Sequence, residues 1–155
     1  MLSFGIAEYG KPVPVVSFEV VAKTTSLARR FIARGRVDGT SLVTRGFLVG
    51  RGGYDPFNPS LATPVNPDTN WLTDVVWGGF ITAIEFPNPN CVCYYCELLE
   101  AEANWALGEI AIFSEVQNSP GAIEDGTFLI SAIGHFPFKA KNLNMKMAIR
   151  VLEQI

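Results

Sequence analysis

Alternation of apolar and polar residues dominates the second half of the chain. In the closing run Leu143, Met145, Met147, Ile149 and Val151 fall on one face, with Asn144, Lys146, Arg150 and Gln154 largely on the other. That period of two is the signature of a strand. Further strand-like runs cover Ser41–Val49, Asp74–Phe86, Cys91–Leu98, Leu107–Ser114 and Thr127–Phe136, and the closing run itself spans Leu143–Leu152. Pro87-Asn88-Pro89-Asn90 and Glu124-Asp125-Gly126 mark turns between them. Ahead of the strands, the spacing of Val21, Leu27, Ala28, Phe31 and Ile32 predicts a helix over Ser17–Arg34, with Gly35 placed to stop it. Residues 1–16 read as an extended arm, because Pro12 and Pro14 forbid a helix around Val13.

The segment Gly53–Asn70 breaks the pattern. Pro56, Pro59, Pro64 and Pro67 with Asn58, Asn66 and Asp68 exclude both a helix and a central strand. Loops this long inside compact domains are usually binding loops or are ordered by a partner. Tyr54, Phe57 and Leu61 within it are apolar anchors that need a surface to pack on. The expected fold is therefore mainly β (α+β): an antiparallel β-sandwich with an N-terminal helix and an extended N-terminal arm. Residues 1–40 form the arm and helix, and residues 41–155 the sandwich, as one compact unit. No internal repeat or low-complexity tract interrupts it.

Composition narrows the class. With 155 residues, 48% hydrophobic and a net charge of −3, the chain is neither disordered nor too small for a core. The uncharged apolar run Val75–Ile84 is half of the ~20 residues a membrane helix needs. The start Met1-Leu2-Ser3-Phe4-Gly5-Ile6 lacks the basic flank of a signal peptide, so a soluble protein made in the cytoplasm is expected. Charged residues make up 17%, against about 25% in an average soluble domain; a surface so poor in charge suits a subunit of an assembly. The charges are also sorted. Seven basic residues and one acid, Asp38, lie between Lys23 and Arg51, whereas Gly52–Phe138 carries eleven acids and no Lys or Arg. A basic end docking on an acidic face of a neighbour fits that distribution. General nucleic-acid binding does not fit, given a pI near 5.1 and no aromatic interleaving in the basic segment.

Candidate chemistry is sparse. Cys91, Cys93 and Cys96 make a C-x-C-x-x-C cluster, but on a strand Cys91 and Cys93 face one side and Cys96 the other, short of the four converging ligands zinc requires. Buried reduced thiols are expected, with an intersubunit disulfide as the alternative that an odd count leaves open. His135, the only histidine, ends an apolar strand and is read as structural. No G-x-S-x-G nucleophile motif occurs, and Gly50-Arg51-Gly52-Gly53 leads into Tyr54-Asp55-Pro56 rather than into a phosphate-binding helix. Glu97, Glu100 and Glu102 read as a solvated or partner-facing edge. Glu109 stands apart as an acid at the start of the apolar strand Ile110-Ala111-Ile112-Phe113. Burial there requires hydrogen-bond donors, from backbone amides or an arginine such as Arg45. No enzyme, metal or cofactor is expected.

The order of the segments is recognisable. Leu48-Val49-Gly50-Arg51-Gly52-Gly53-Tyr54-Asp55-Pro56 and Pro64-Val65-Asn66-Pro67-Asp68-Thr69-Asn70-Trp71-Leu72 come first. Leu107-Gly108-Glu109-Ile110-Ala111-Ile112-Phe113, Asp125-Gly126-Thr127-Phe128-Leu129 and Gly134-His135-Phe136-Pro137-Phe138-Lys139 follow. This succession resembles the N-terminal attachment domain of phage tail fibres of the tail-collar type, over roughly Leu42–Leu152. Two positions depart from that pattern: Arg51 stands where the family has an acid, and Ala111 where it has a glycine. The resemblance implies a virion structural protein of the tail or baseplate that links a fibre to the tail, assembled in the host cytoplasm as a homotrimer or ring. With the chain stopping at Ile155, neither shaft nor receptor-binding tip is expected. Its partners would be other tail or baseplate proteins and a fibre, with no nucleic acid and no membrane. Tyr54, Phe57 and Trp71 are the expected aromatic anchors, and the basic helix residues Arg29, Arg30 and Arg34 a second contact surface. The alternative is a capsid decoration or head–tail connector protein. A carbohydrate-binding module, with Trp71, Trp77 or Trp105 as its platform, ranks behind both.

Overall fold

The computed structural model describes residues 13–155, so the expected arm lies almost wholly outside the described residues. The described chain is mainly β with a single helix. β1 (Val15–Thr24) leads into α1 (Ser26–Asp38) and β2 (Ser41–Gly50). A short hairpin, β3 (Tyr54–Asp55) and β4 (Asn58–Ala62), is followed by β5 (Val75–Gly79), β6 (Ile81–Asn88) and β7 (Cys91–Leu98). β8 (Ala106–Gln117), β9 (Phe128–Ala140) and β10 (Lys146–Gln154) complete the fold. No helix among the described residues is long and apolar enough to cross a membrane.

The predicted helix begins too early. Residues 15–24 form a strand instead, in which Val20, Ala22 and Thr24 are buried while Val21 and Lys23 are exposed. Valine and phenylalanine favour a pleated surface, and a slot between β9 and β10 in the sheet decides the matter. The helix starts where Thr25 caps it, its hydroxyl accepting from the Ala28 amide at 3.1 Å. It runs past Gly35 to Gly39, whose φ of 77° gives the left-handed stop. The segment before residue 40 thus supplies a strand in the middle of the sheet.

Eight strands join in one sheet, in the order β5-β2-β8-β9-β1-β10-β7-β6. The structure therefore has one curled sheet where two stacked sheets were expected. The ladders are antiparallel except that of β1 and β10, which run parallel with Val15 opposite Lys146 and Ala22 opposite Glu153. Curling brings the two margins together: β5 and β6 lie at opposite ends of the strand order, yet only Phe80 separates them along the chain. The single strand expected over Asp74–Phe86 is thus two, divided at that residue.

The inner face of the curl encloses the main core, built from Phe47, Val49, Ile110, Ile112, Phe136, Met147 and Ile149. Each such buried side chain contributes roughly 1.5–3 kcal/mol. The outer face is covered on one half only. Over β2, β8 and β9, α1 packs Ala28 against Val116 and Leu129. Beside it Leu72 packs against Ala111, Ile130 and Ile133, with Val65 against the same cluster. Over β1 and β10 the outer face stays open, with Glu19, Val21 and Arg150 exposed.

Candidate protein-binding surface

Glu109 organises the segment that follows β2. Its side chain is 1% exposed, yet among the described residues it forms no ion pair. Oε2 accepts from the amides of Gly52 (3.1 Å) and Asp74 (2.9 Å), and Oε1 from that of Thr73 (3.0 Å). Three backbone donors satisfy a buried carboxylate as an anion nest does. Backbone amides, rather than Arg45, therefore meet the need recognised in the sequence; Arg45 pairs with Glu115 at 2.8 Å. The glycines of Gly50-Arg51-Gly52-Gly53 make the approach possible. A Cβ on Gly50 would overlap Glu109 Oε2 and lie 2.7 Å from the Asp74 carbonyl oxygen. Gly53 has φ +89° and faces the Gly108 carbonyl. Arg51 reaches across the same turn to Asp74, Nε to Oδ2 at 2.6 Å.

The long segment leaving this turn is not structureless. β3 and β4 form a two-stranded hairpin, with Pro59 tolerated because β4 is an edge. The hairpin is tied down by the Thr63 amide, which donates to the Gly53 carbonyl at 2.9 Å. His135 Nδ1 donates to the Thr63 carbonyl at 2.9 Å, which fixes the proton on that nitrogen and gives the histidine a structural role. Further on, the Ser26 amide donates to the Pro67 carbonyl at 2.8 Å, and the Ser26 hydroxyl to Asp68 Oδ1 at 2.5 Å. The segment is therefore held at the turn, on β9 and on the first turn of α1.

The three aromatic anchors have different fates. Tyr54 is half-buried, its ring edge-on to Phe138 at 5.6 Å between centroids, so it fastens the hairpin to β9. Phe57 at the hairpin tip is 96% exposed, and Trp71 58% exposed. Trp71 forms one wall of an apolar groove of about 250 Å³, whose other lining residues are Leu48, Phe113, Phe128, Leu129 and Ile130. Phe128 is itself exposed and stacks edge-on to Phe113 at 6.0 Å. The contribution of β2, β8 and β9 to this groove carries no signal in sequence, because apolar residues on both faces of a strand read alike as core.

The basic helix residues also divide. Arg34 is committed to the fold: it pairs with Glu124 at 3.2 Å and Asp38 at 3.5 Å and lies over the Phe31 ring. Its hydrogen bond to Glu124 holds the guanidinium above its ordinary range and the Glu124 carboxyl below its own. Arg29 and Arg30 are exposed and form no ion pair among the described residues. The structure does not bring them onto the Trp71 groove; Arg29 instead lines a cavity with Thr24, Ile32, Ala33, Arg36 and Ile155.

The remaining candidates resolve into structural parts. Cys91, Cys93 and Cys96 are free and buried. Burial, then the nearby Cys93, pushes the Cys96 thiol up to about 12. Among the described residues no three His, Cys, Asp or Glu side chains gather as a metal site. Trp77 packs on the core, whereas Trp105 is partly exposed in the turn before β8. A feature with no sequence signal is a buried polar group inside the curl. Glu153 accepts from Tyr94 Oη at 2.8 Å and Thr24 Oγ1 at 2.5 Å, and burial followed by this carboxylate raises the Tyr94 phenol. No protein-family model, curated protein or solved structure matches the chain.

Proposed function

We propose that this chain is a structural, protein-binding module of a phage tail or baseplate, serving as an attachment or adaptor unit for tail fibres. The observation that carries the proposal is the rigid presentation of apolar side chains. Phe57 and Trp71 stand exposed on a segment held by the Glu109 carboxylate, by β9 and by α1. Exposed aromatics on a pre-ordered support lose little entropy on binding and are the usual anchors of interfaces. The order of motifs that resembles the tail-collar fibre domain adds a second support. Its glycine turn and its E-I block meet at one carboxylate, so the two blocks act as a unit. In this role the two halves of the curled sheet, facing each other across the core, take the part of the sandwich. The module works in the virion as a homotrimer or ring, with tail or baseplate proteins and a fibre as partners.

The test is co-purification with phage tail and baseplate proteins, using the wild-type chain and a Phe57→Ala/Trp71→Ala variant. The expected result is an unchanged melting temperature with loss of the partner. Undiminished capture by the variant would overturn the assignment of these anchors. Capture of capsid proteins instead would favour decoration of the head.

A further inference from the structure

On the open half of the outer sheet face, three cavities run into one another. The first, about 510 Å³, is bounded by Glu19, Val21, Arg150 and Leu152 and by the Pro87–Cys91 turn. The second, about 320 Å³, shares Val21 and Gln154 with it and reaches Lys23, Arg29 and Pro67. The third, about 310 Å³, shares Thr24 and Arg29 with the second and ends at Ile32, Arg36 and Ile155. Together they form a trough along β1 and β10 that closes against α1. Its floor is partly apolar and its α1 end is cationic. Of the basic side chains from Lys23 to Arg51, Arg34, Arg45 and Arg51 are ion-paired. Lys23, Arg29, Arg30 and Arg36 are exposed and make no ion pair among the described residues.

The opposite pole carries the complement. α1 packs over Val116 near the end of β8, whereas the turn from Leu99 to Trp105 feeds the start of that strand. At about 3.3 Å per residue, the run from Ala106 to Val116 sets the two features roughly 30–35 Å apart. In and beside the turn, Glu97 and Leu99 are exposed and Glu100 is half-exposed. The lysines of this pole are largely occupied. Lys141 is buried under the turn, its Nζ donating to the Glu100 and Asn142 carbonyls and to Asn104 Oδ1. Lys139 Nζ lies 5.1 Å over the Phe18 ring, and Lys146 is half-buried at the start of β10.

We infer that the α1 end of the trough receives the β7–β8 turn of a second copy of this chain. Glu97 and Glu100 face Arg29 and Arg36, and Leu99 packs on Ile32. Because the two surfaces lie at opposite poles, the contact is head-to-tail and propagates into a ring or filament rather than a closed twofold dimer. The inference rests on the assembly-subunit function proposed above and supplies its self-contact.

Charge reversal tests it. The wild-type chain, 16.9 kDa as a monomer, is expected to gain mass with concentration in light scattering, and to lose it in high salt as exposed pairs are screened. Arg29→Glu/Arg36→Glu and Glu97→Lys/Glu100→Lys each place like charges across the contact and lower the association constant about tenfold or more. Mixing the two variants restores opposite charges wherever unlike copies meet, throughout an even ring or filament and at all but one junction of an odd ring. The mixture therefore associates to a higher mass than either variant alone. Glu97→Lys alone, set away from Lys141, serves as the second acidic-pole variant should the double one melt early. A monomeric wild type, or variants that assemble as wild type does, overturns the inference. The adaptor function is judged separately by the Phe57/Trp71 co-purification, so the two failures are distinguishable.

Discussion

Removing one charge from Glu109 is expected to loosen the whole Gly50–Asp74 connection. In Glu109→Gln the volume is kept and one carboxylate oxygen becomes an NH2 group. The oxygen that remains can keep the two donors now on Oε2, Gly52 and Asp74. The new amide then confronts the Thr73 N–H, a donor facing a donor. One charge-assisted hydrogen bond, worth about 1.5–3 kcal/mol, is lost, and the two that persist weaken as the acceptor becomes neutral. Relief of the buried charge offsets part of this, leaving a net loss of about 2–3 kcal/mol. For a domain of this size each kcal/mol moves the melting temperature by about 2–4 °C, so a drop of about 4–12 °C is expected. Glu115→Gln is the control, since its pair with Arg45 is partly exposed and worth no more than about 1 kcal/mol. Hydrogen exchange supplies the local readout: the amides of Gly52, Thr73 and Asp74 speed up while those of β10 do not. A melting shift no larger than the control's, or unchanged exchange at these three amides, would refute the role given to the carboxylate.

Two further expectations follow from groups buried within the curl. The Cys96 thiol ionises near 12 in the folded chain against an ordinary 9.0. The unfolded chain therefore loses this proton first, and stability that is full below pH 9 declines towards pH 12 by about 1.4 kcal/mol per unit. Urea unfolding between pH 8 and 11 is expected to show a steeper fall for wild type than for Cys96→Ala; parallel profiles would contradict it. Tyr94→Phe removes a donor from the Glu153 carboxylate, which is 4% exposed and has Thr24 as its other side-chain partner among the described residues. A loss of about 1–3 kcal/mol in denaturant unfolding is expected, and a variant as stable as wild type would show that this hydrogen bond is dispensable.

What the sequence made legible was set by local pattern. β7 coincides with the predicted Cys91–Leu98, and β2, β8, β9 and β10 differ from prediction only at their ends. In β10 apolar side chains alternate with one face on the core, whereas β8 and β9 are legible as continuous apolar runs buried on both faces. β1 was missed because Val21, Leu27, Ala28, Phe31 and Ile32 do fit a helical spacing. Pairing with Lys146–Glu153, at the far end of the chain, decides otherwise. The β3–β4 hairpin was hidden by Pro56 and Pro59, which remove donors a central strand needs but an edge can spare. At the candidate site, the apolar flank of Glu109 revealed a buried acid. Its partners could not be read, since main-chain amides carry no side-chain signature. Phe57 and Trp71 stood out as aromatics in a polar loop, whereas Leu48, Phe113 and Phe128 were indistinguishable from core until the outer face was seen.

The position of β1 has a consequence for how the chain acquires its structure. Its parallel ladder with β10 sets Val15 against Lys146, so the first described strand of the fold is completed by the last. A parallel pairing of such sequence separation closes nearly the whole chain into a loop before any contact stabilises it, and topologies of this kind fold slowly. During synthesis β1 emerges long before β10 and also long before β9, its other neighbour, so it has no strand to pair with until late. The sheet cannot be built from one end as a series of hairpins. Its central seam closes only once β10 has emerged, so the sheet cannot form progressively while β2 to β9 are being made.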